Sequence, residues 1–169
     1  MSEQTNETPV ATSTSVINLA IESVMDLIDA IGLFATISRG ALGTSNGLCC
    51  EIGPTSPEAV FLDKHQYIPV DLTINGKHDD LRTLSDALNT IHETLTMAFS
   101  YPSGNGWQVV DITTMSEPQV IAREDDGKWM MASALTVKVA TLEKEPAPEP
   151  TPEPTPEPTP EPEPEPEQE

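Results

Sequence analysis

The sequence predicts an α+β fold: a mixed, mostly antiparallel sheet packed against two helices. Three observations predict it. Two stretches repeat apolar residues every three or four positions, the spacing of a helix with one buried stripe. Several shorter stretches alternate apolar and polar residues, the period of a strand with one buried face. Asp126-Gly127 stands between two strand-like runs, a strong short-range hairpin signal.

Residues 1–14 are small and polar and read as a disordered arm. Ser15 can cap the helix that follows. Over residues 16–37, Ile17, Ala20, Ile21, Val24, Leu27, Ile28, Ile31 and Phe34 share one face, and Arg39-Gly40 is placed to end the helix. Leu48, Cys50 and Ile52 alternate with Cys49 and Glu51 to give a first strand, and residues 54–66 read as a connection. Ile68, Val70, Leu72 and Ile74 then alternate with Pro69, Asp71 and Thr73 in a second strand, with Asn75-Gly76 read as its turn. Leu81, Leu84, Leu88, Ile91, Leu95 and Ala98 stripe a helix over 79–99, and Tyr101-Pro102 stops it. Trp107 to Thr113 reads as a strand. Pro118 interrupts it, and Gln119 to Arg123 makes a short strand before the hairpin turn at 125–128. The returning strand, Trp129 to about Leu142, is long enough to predict an overhang whose free backbone groups invite a neighbouring subunit. The domain is expected to span residues 15–143. Residues 144–169 form a proline- and glutamate-rich tail, read as an extended, charge-stiffened spacer.

The charge narrows the function. The 169 residues carry 28 acids against 8 bases, a net charge of −20. Residues 146–169 hold 8 of those acids and no base, so the rest of the chain still carries 20 acids against 8 bases, or −12. A surface this acidic opposes a grip on nucleic acid, which is built from Lys and Arg contacts to phosphate. Aromatic residues make up 4% of the chain, few for base stacking. No apolar run approaches the roughly 20 residues of a membrane-spanning helix, and no basic start marks a secretory leader. Adjacent Cys49 and Cys50 suit a reducing compartment, because neighbours on a strand point to opposite faces and do not bridge easily.

The motifs of catalysis are missing. There is no phosphate-binding glycine loop with its Lys-Ser/Thr and no Gly-x-Ser-x-Gly elbow. His65, His78 and His92 lack the paired spacing that sets two metal ligands on one helical face. Cys50 has Glu51 beside it, which raises a thiol pKa and favours a small core residue over a nucleophile. A Glu51–Asp71 carboxylate pair is ordinary surface in so acidic a chain. No catalytic, cofactor-binding or metal residue is therefore expected, and no enzyme. Trp107 and Trp129 start strands; sheet packing is the first reading, and a subunit anchor the other, tryptophan being enriched at binding hot spots. Together with Leu135, Val137 and Val139 of the overhanging strand, they form the candidate subunit interface.

A family resemblance rests on particular residues. These are Ile68-Pro-Val-Asp-Leu-Thr-Ile-Asn-Gly-Lys-His78, Leu84-Ser-Asp-Ala-Leu-Asn-Thr-Ile-His92, Tyr101-Pro102 with Trp107-Gln-Val-Val-Asp-Ile112, Arg123-Glu-Asp-Asp-Gly-Lys-Trp129 and Ala132-Ser-Ala-Leu-Thr-Val-Lys138. Over residues 15–142 the chain resembles the minor capsid and tail terminator proteins of long-tailed bacteriophages, in particular those of Gram-positive hosts. The tail departs from that pattern. The resemblance implies a virion structural protein, assembled in the host cytoplasm and placed at the head–tail junction. It implies a homo-hexameric ring that caps the tail tube protein and joins a neck or head-completion protein, with DNA passing through the lumen without specific binding. The alternative is a neck adaptor, or a cytosolic protein-binding module, that forms no ring. A ring requires heterologous self-contact, one surface meeting a different surface of the next copy.

Overall fold

The structure, a computed structural model, describes residues 13–55, 59–60 and 66–141, with side chains placed for 16–55 and 66–141. The N-terminal arm up to residue 12, His65 and its surrounding connection, and the tail from residue 142 onward lie outside the described residues.

Among the described residues, two helices and seven strands follow one another: α1 (Ser13–Ala30), β1 (Ile37–Arg39), β2 (Gly47–Thr55), β3 (Ala59–Val60), β4 (Gln66–His78), α2 (Leu81–Thr96), β5 (Ser103–Gly104), β6 (Trp107–Arg123) and β7 (Trp129–Thr141). The sheet order is β1-β2-β4-β7-β6-β5, with β3 beside the start of β4. Among the described residues only β1 and β2 pair in parallel; the other pairings are antiparallel. This is the α+β class the sequence predicts.

The core follows from the period-two pattern. On β4, Ile68, Val70, Leu72 and Ile74 are buried; opposite them on β7 stand Val139, Val137, Leu135 and Ser133, on the same face. Both helices cover that face. Ile21, Val24 and Ile28 of α1 and Leu84, Leu88, Ile91 and Leu95 of α2 close the same apolar cluster. Each such side chain, fully withdrawn from water, contributes roughly 1.5–3 kcal/mol. Residues of the opposite parity, among them Pro69, Asp71, Thr73, Ala132, Ala134 and Thr136, are half-buried on the other face. There Asp71 accepts a hydrogen bond from Thr136 Oγ1 at 3.0 Å.

Several boundaries differ from the sequence reading, each for a physical reason. α1 stops at Ala30 rather than residue 37, because Gly32 takes φ +76° and its N–H closes on Asp29 C=O at 3.1 Å. Phe34 therefore lies beyond the helix, and Arg39-Gly40 ends a short strand instead. Asn75-Gly76 is not a turn; both residues lie within β4. Gly76 is needed for space: a Cβ there would stand 2.5 Å from Leu84 Cδ1 and 3.1 Å from Leu48 Cδ2. α2 opens on Asp80, whose carboxylate accepts from Thr83 N–H at 3.0 Å and from its hydroxyl at 2.7 Å. β2 runs on to Thr55 through Gly53-Pro54.

The largest correction concerns β7. It does not overhang. Its thirteen residues, Trp129 to Thr141, pair with β4 on one side and with β6 on the other, so it is an inner strand of the sheet. Pro118 likewise does not split the preceding run. β6 is one seventeen-residue strand containing Pro118 at an interruption of its ladder, where a missing N–H costs little.

Candidate subunit interface

The expected interface residues are mostly inside. Leu135, Val137 and Val139 are wholly buried under the two helices, so a neighbouring chain meets none of them on the folded surface. Trp107 is buried too, with its indole laid against Gly104; a Cβ on that glycine would fall 2.5 Å from the indole nitrogen. Trp129 is half-buried, packed on the core edge, with the Arg123 guanidinium 4.9 Å from its ring centroid. The greasy face that the sequence offers as a joining surface is the face that folds the chain.

The open margin belongs to β6. β5 pairs only with Trp107 and Gln108. Val109 N–H still donates to Pro102 C=O at 2.9 Å; from Val110 to Arg123, nothing among the described residues pairs with the far side of β6. An unpaired margin of this length is a template for another chain.

β6 is also irregular. Its pairing with β7 slips between Val109 and Asp111, between Thr114 and Ser116, between Ser116 and Gln119, and between Val120 and Ala122. Each slip leaves residues of β6 without a registered partner: Val110, Met115, Glu117-Pro118 and Ile121. A bulge re-aims the extra side chain away from the regular ladder. Three of these extra residues are apolar and in water, Val110 at 37%, Met115 at 56% and Ile121 at 52% exposure, joined by Val120 at 47%. Met97 and Phe99, just past the end of α2, are also exposed, at 71% and 109%.

The hairpin that ends β6 is braced. Gly127 at φ +90° donates its N–H to Glu124 C=O at 2.9 Å, and Glu124 N–H donates to Lys128 C=O at 2.8 Å. Lys77 reaches across from β4; its buried ammonium lies 2.7 Å from Glu124 Oε1 and donates to Gly43 C=O at 2.9 Å. The hairpin, the end of β4 and the loop after β1 are thus tied at one charge.

The residues screened for chemistry fall apart in space. His78 accepts from Asp80 N–H at 2.9 Å through Nδ1 and meets the Phe34 ring edge-on at 4.7 Å, so it shapes the start of α2. His92 is buried, its Nδ1 is 3.2 Å from Thr114 Oγ1, and burial lowers its pKa while Glu117 works against that shift. Burial pushes the Cys50 thiol up to about 11, with Arg39 opposing, and raises Cys49 in the same sense. Neither is a nucleophile at neutral pH. Glu51 faces Thr73 across the ladder while Asp71 is held by Thr136, so the two acids form no pair. No group of three His, Cys, Asp or Glu side chains able to hold a metal occurs among the described residues. An open groove of about 260 Å³, lined by Leu33, Phe34, Thr83, Asp86, Ala87 and Thr90, is smaller than the roughly 300–1,000 Å³ of small-molecule pockets.

The sequence missed the open margin because it read β6 as two strands. No local period could have shown it: buried Trp107 and Val109 are odd-numbered and buried Ile112 even-numbered, so the bulge at Val110 shifts the phase and exposed Val110, Met115 and Ile121 follow neither parity.

No family model matches this chain, and no curated protein matches it. Among solved structures it is similar to a chain from the virion of the native gene transfer agent particle. That likeness covers 73% of this chain and 94% of the other, at 13% identity and a TM-score of 0.49. Likeness at that level assigns neither family nor function.

Proposed function

We propose that this chain is a virion structural protein that forms a ring at the head–tail junction. It caps the tail tube, joins it to the neck, and lets DNA pass through the lumen. No step of this function calls for a reactive centre. The observation that carries the reading is the margin of β6: a long strand, open on one side, with apolar side chains turned outward from its bulges. A chain that keeps such a margin in water is built to be covered. The sequence resemblance to tail terminators supplies the setting, and the acidic balance of the chain suits a wall that DNA slides past without sticking.

The test is stoichiometry. Native mass spectrometry of the purified full chain, which is insensitive to the extended tail, should show six copies. Particles assembled without the protein should carry tubes that are uncapped and unattached to heads. A chain that stays monomeric at high concentration, together with complete particles that lack it, overturns the proposal.

A further inference from the structure

The sheet has two open margins, and their shapes match. Resting on the ring reading, we infer that β1 of one copy pairs antiparallel with the Asp111–Thr114 stretch of β6 in the next copy, so that the sheet continues from subunit to subunit.

Three observations carry this. The first is length. β1 has three residues, Ile37–Arg39. Between the slips at Val110 and Met115, β6 offers one uninterrupted run of four residues, Asp111–Thr114; the other runs on the open margin are of one or two residues. The bulges on either side therefore admit a strand as short as β1 and refuse a long one.

The second is direction. β1 runs with β2, β2 against β4, β4 against β7, and β7 against β6, so β1 and β6 of one chain point opposite ways. A ring whose axis lies along the strands leaves each strand's sense unchanged from copy to copy. The junction is then antiparallel, the pairing with the straighter hydrogen bonds.

The third is the supply of free backbone groups. Gly40 donates its N–H to Cys50 C=O at 3.0 Å, so by alternation Ser38 faces β2 and the N–H and C=O of Arg39 face outward. Asp29 Oδ1 already accepts the Ile37 N–H at 2.7 Å. Arg39 is thus left with both groups to offer, and Ile37 with its carbonyl. This short ladder sets the register. Val110 and Met115, exposed at its two ends, supply the apolar burial that holds the contact. A head-to-tail junction of unlike edges does not stop at two copies, and it closes as a ring where the rotation per subunit closes.

Two variants, each blocking one edge, test the inference by native mass spectrometry of the full chain. Arg39→Pro removes the outward N–H of β1, whereas Arg39→Ala removes only the side chain. Val110→Lys/Met115→Lys places charges at the two exposed bulges, outside the ladder with β7. Thermal melting checks that every variant folds. Arg39→Pro and the double lysine variant should each be monomeric alone, while Arg39→Ala keeps the ring. Mixed together, the two blocked variants should give 1:1 dimers and nothing larger, since each retains the edge the other lacks. A folded Arg39→Pro that still forms the wild-type ring overturns the inference and leaves the ring reading intact. So does a dimer of Arg39→Pro alone, which marks a two-fold β6–β6 contact. A wild-type chain that is monomeric overturns both.

Discussion

β7 has two sides, and they differ. Towards β4, thirteen pairs run from Gln66–Thr141 to His78–Trp129 without a slip. Towards β6, the same thirteen residues face seventeen, and the register shifts four times. Since β7 is common to both ladders, the irregularity is a property of β6. The regular side has its alternate residues sealed under two helices along its whole length. On the irregular side the core takes Trp107, Val109 and Ile112, and the rest of β6 borders water and carries its extra residues as exposed apolar side chains. Regularity marks where this chain holds itself together; slippage marks where it presents a surface.

The comparison predicts unequal costs. The largest belongs to the sealed ladder: Leu135→Ala, opposite Leu72 in the core, should cost about 2–5 kcal/mol in denaturant unfolding of the full chain. A cost near zero would mean that the β4–β7 ladder is not the structural spine. An intermediate effect should come from pH. The pKa of His92 is lowered from its ordinary 6.5 by burial, so the unfolded chain takes up a proton more readily than the folded one. Its contribution to stability is full above pH 6.5 and is lost as pH falls from there through the folded value. Because its imidazole meets Thr114 just before a slip, amide protection factors, which are taken relative to the intrinsic exchange rate at each pH, should fall on β6 before β4 as the pH drops. His92→Gln should flatten that response; an equal loss of protection on both strands would erase the contrast. The smallest effect belongs to the bulges. Met115→Ser and Ile121→Ser should change monomer stability by no more than about 0.5 kcal/mol, being exposed positions outside the ladder.

Much of the sealed side could be read directly. Ile68, Val70, Leu72 and Ile74 announce their buried face by period, and Leu84, Leu88, Ile91 and Leu95 announce theirs. Asp126-Gly127 gave the hairpin, which closes as expected. Misreadings came where one residue type serves two needs. Gly76 is a turn residue by custom, yet here it makes room for Leu84 and Leu48, a tertiary need that no local window contains. Pro118 breaks strands by custom, yet it sits at a slip where no ladder bond is required of it. Length alone predicts the overhang of β7, and length does not tell how long the partner strands are. With β6 split in two, β7 outruns its neighbours and Val137 and Val139 read as joining residues, whereas they are the inner wall.

The inner position of β7 also decides how the chain bears load. Beyond Thr141 the polypeptide continues into residues 142–169, so a pull on that end is delivered along the axis of a strand clamped on both flanks. The hydrogen bonds of both ladders then resist together, in shear, instead of parting one after another like a zip. Tension entering at this end meets a strand held by two ladders at once.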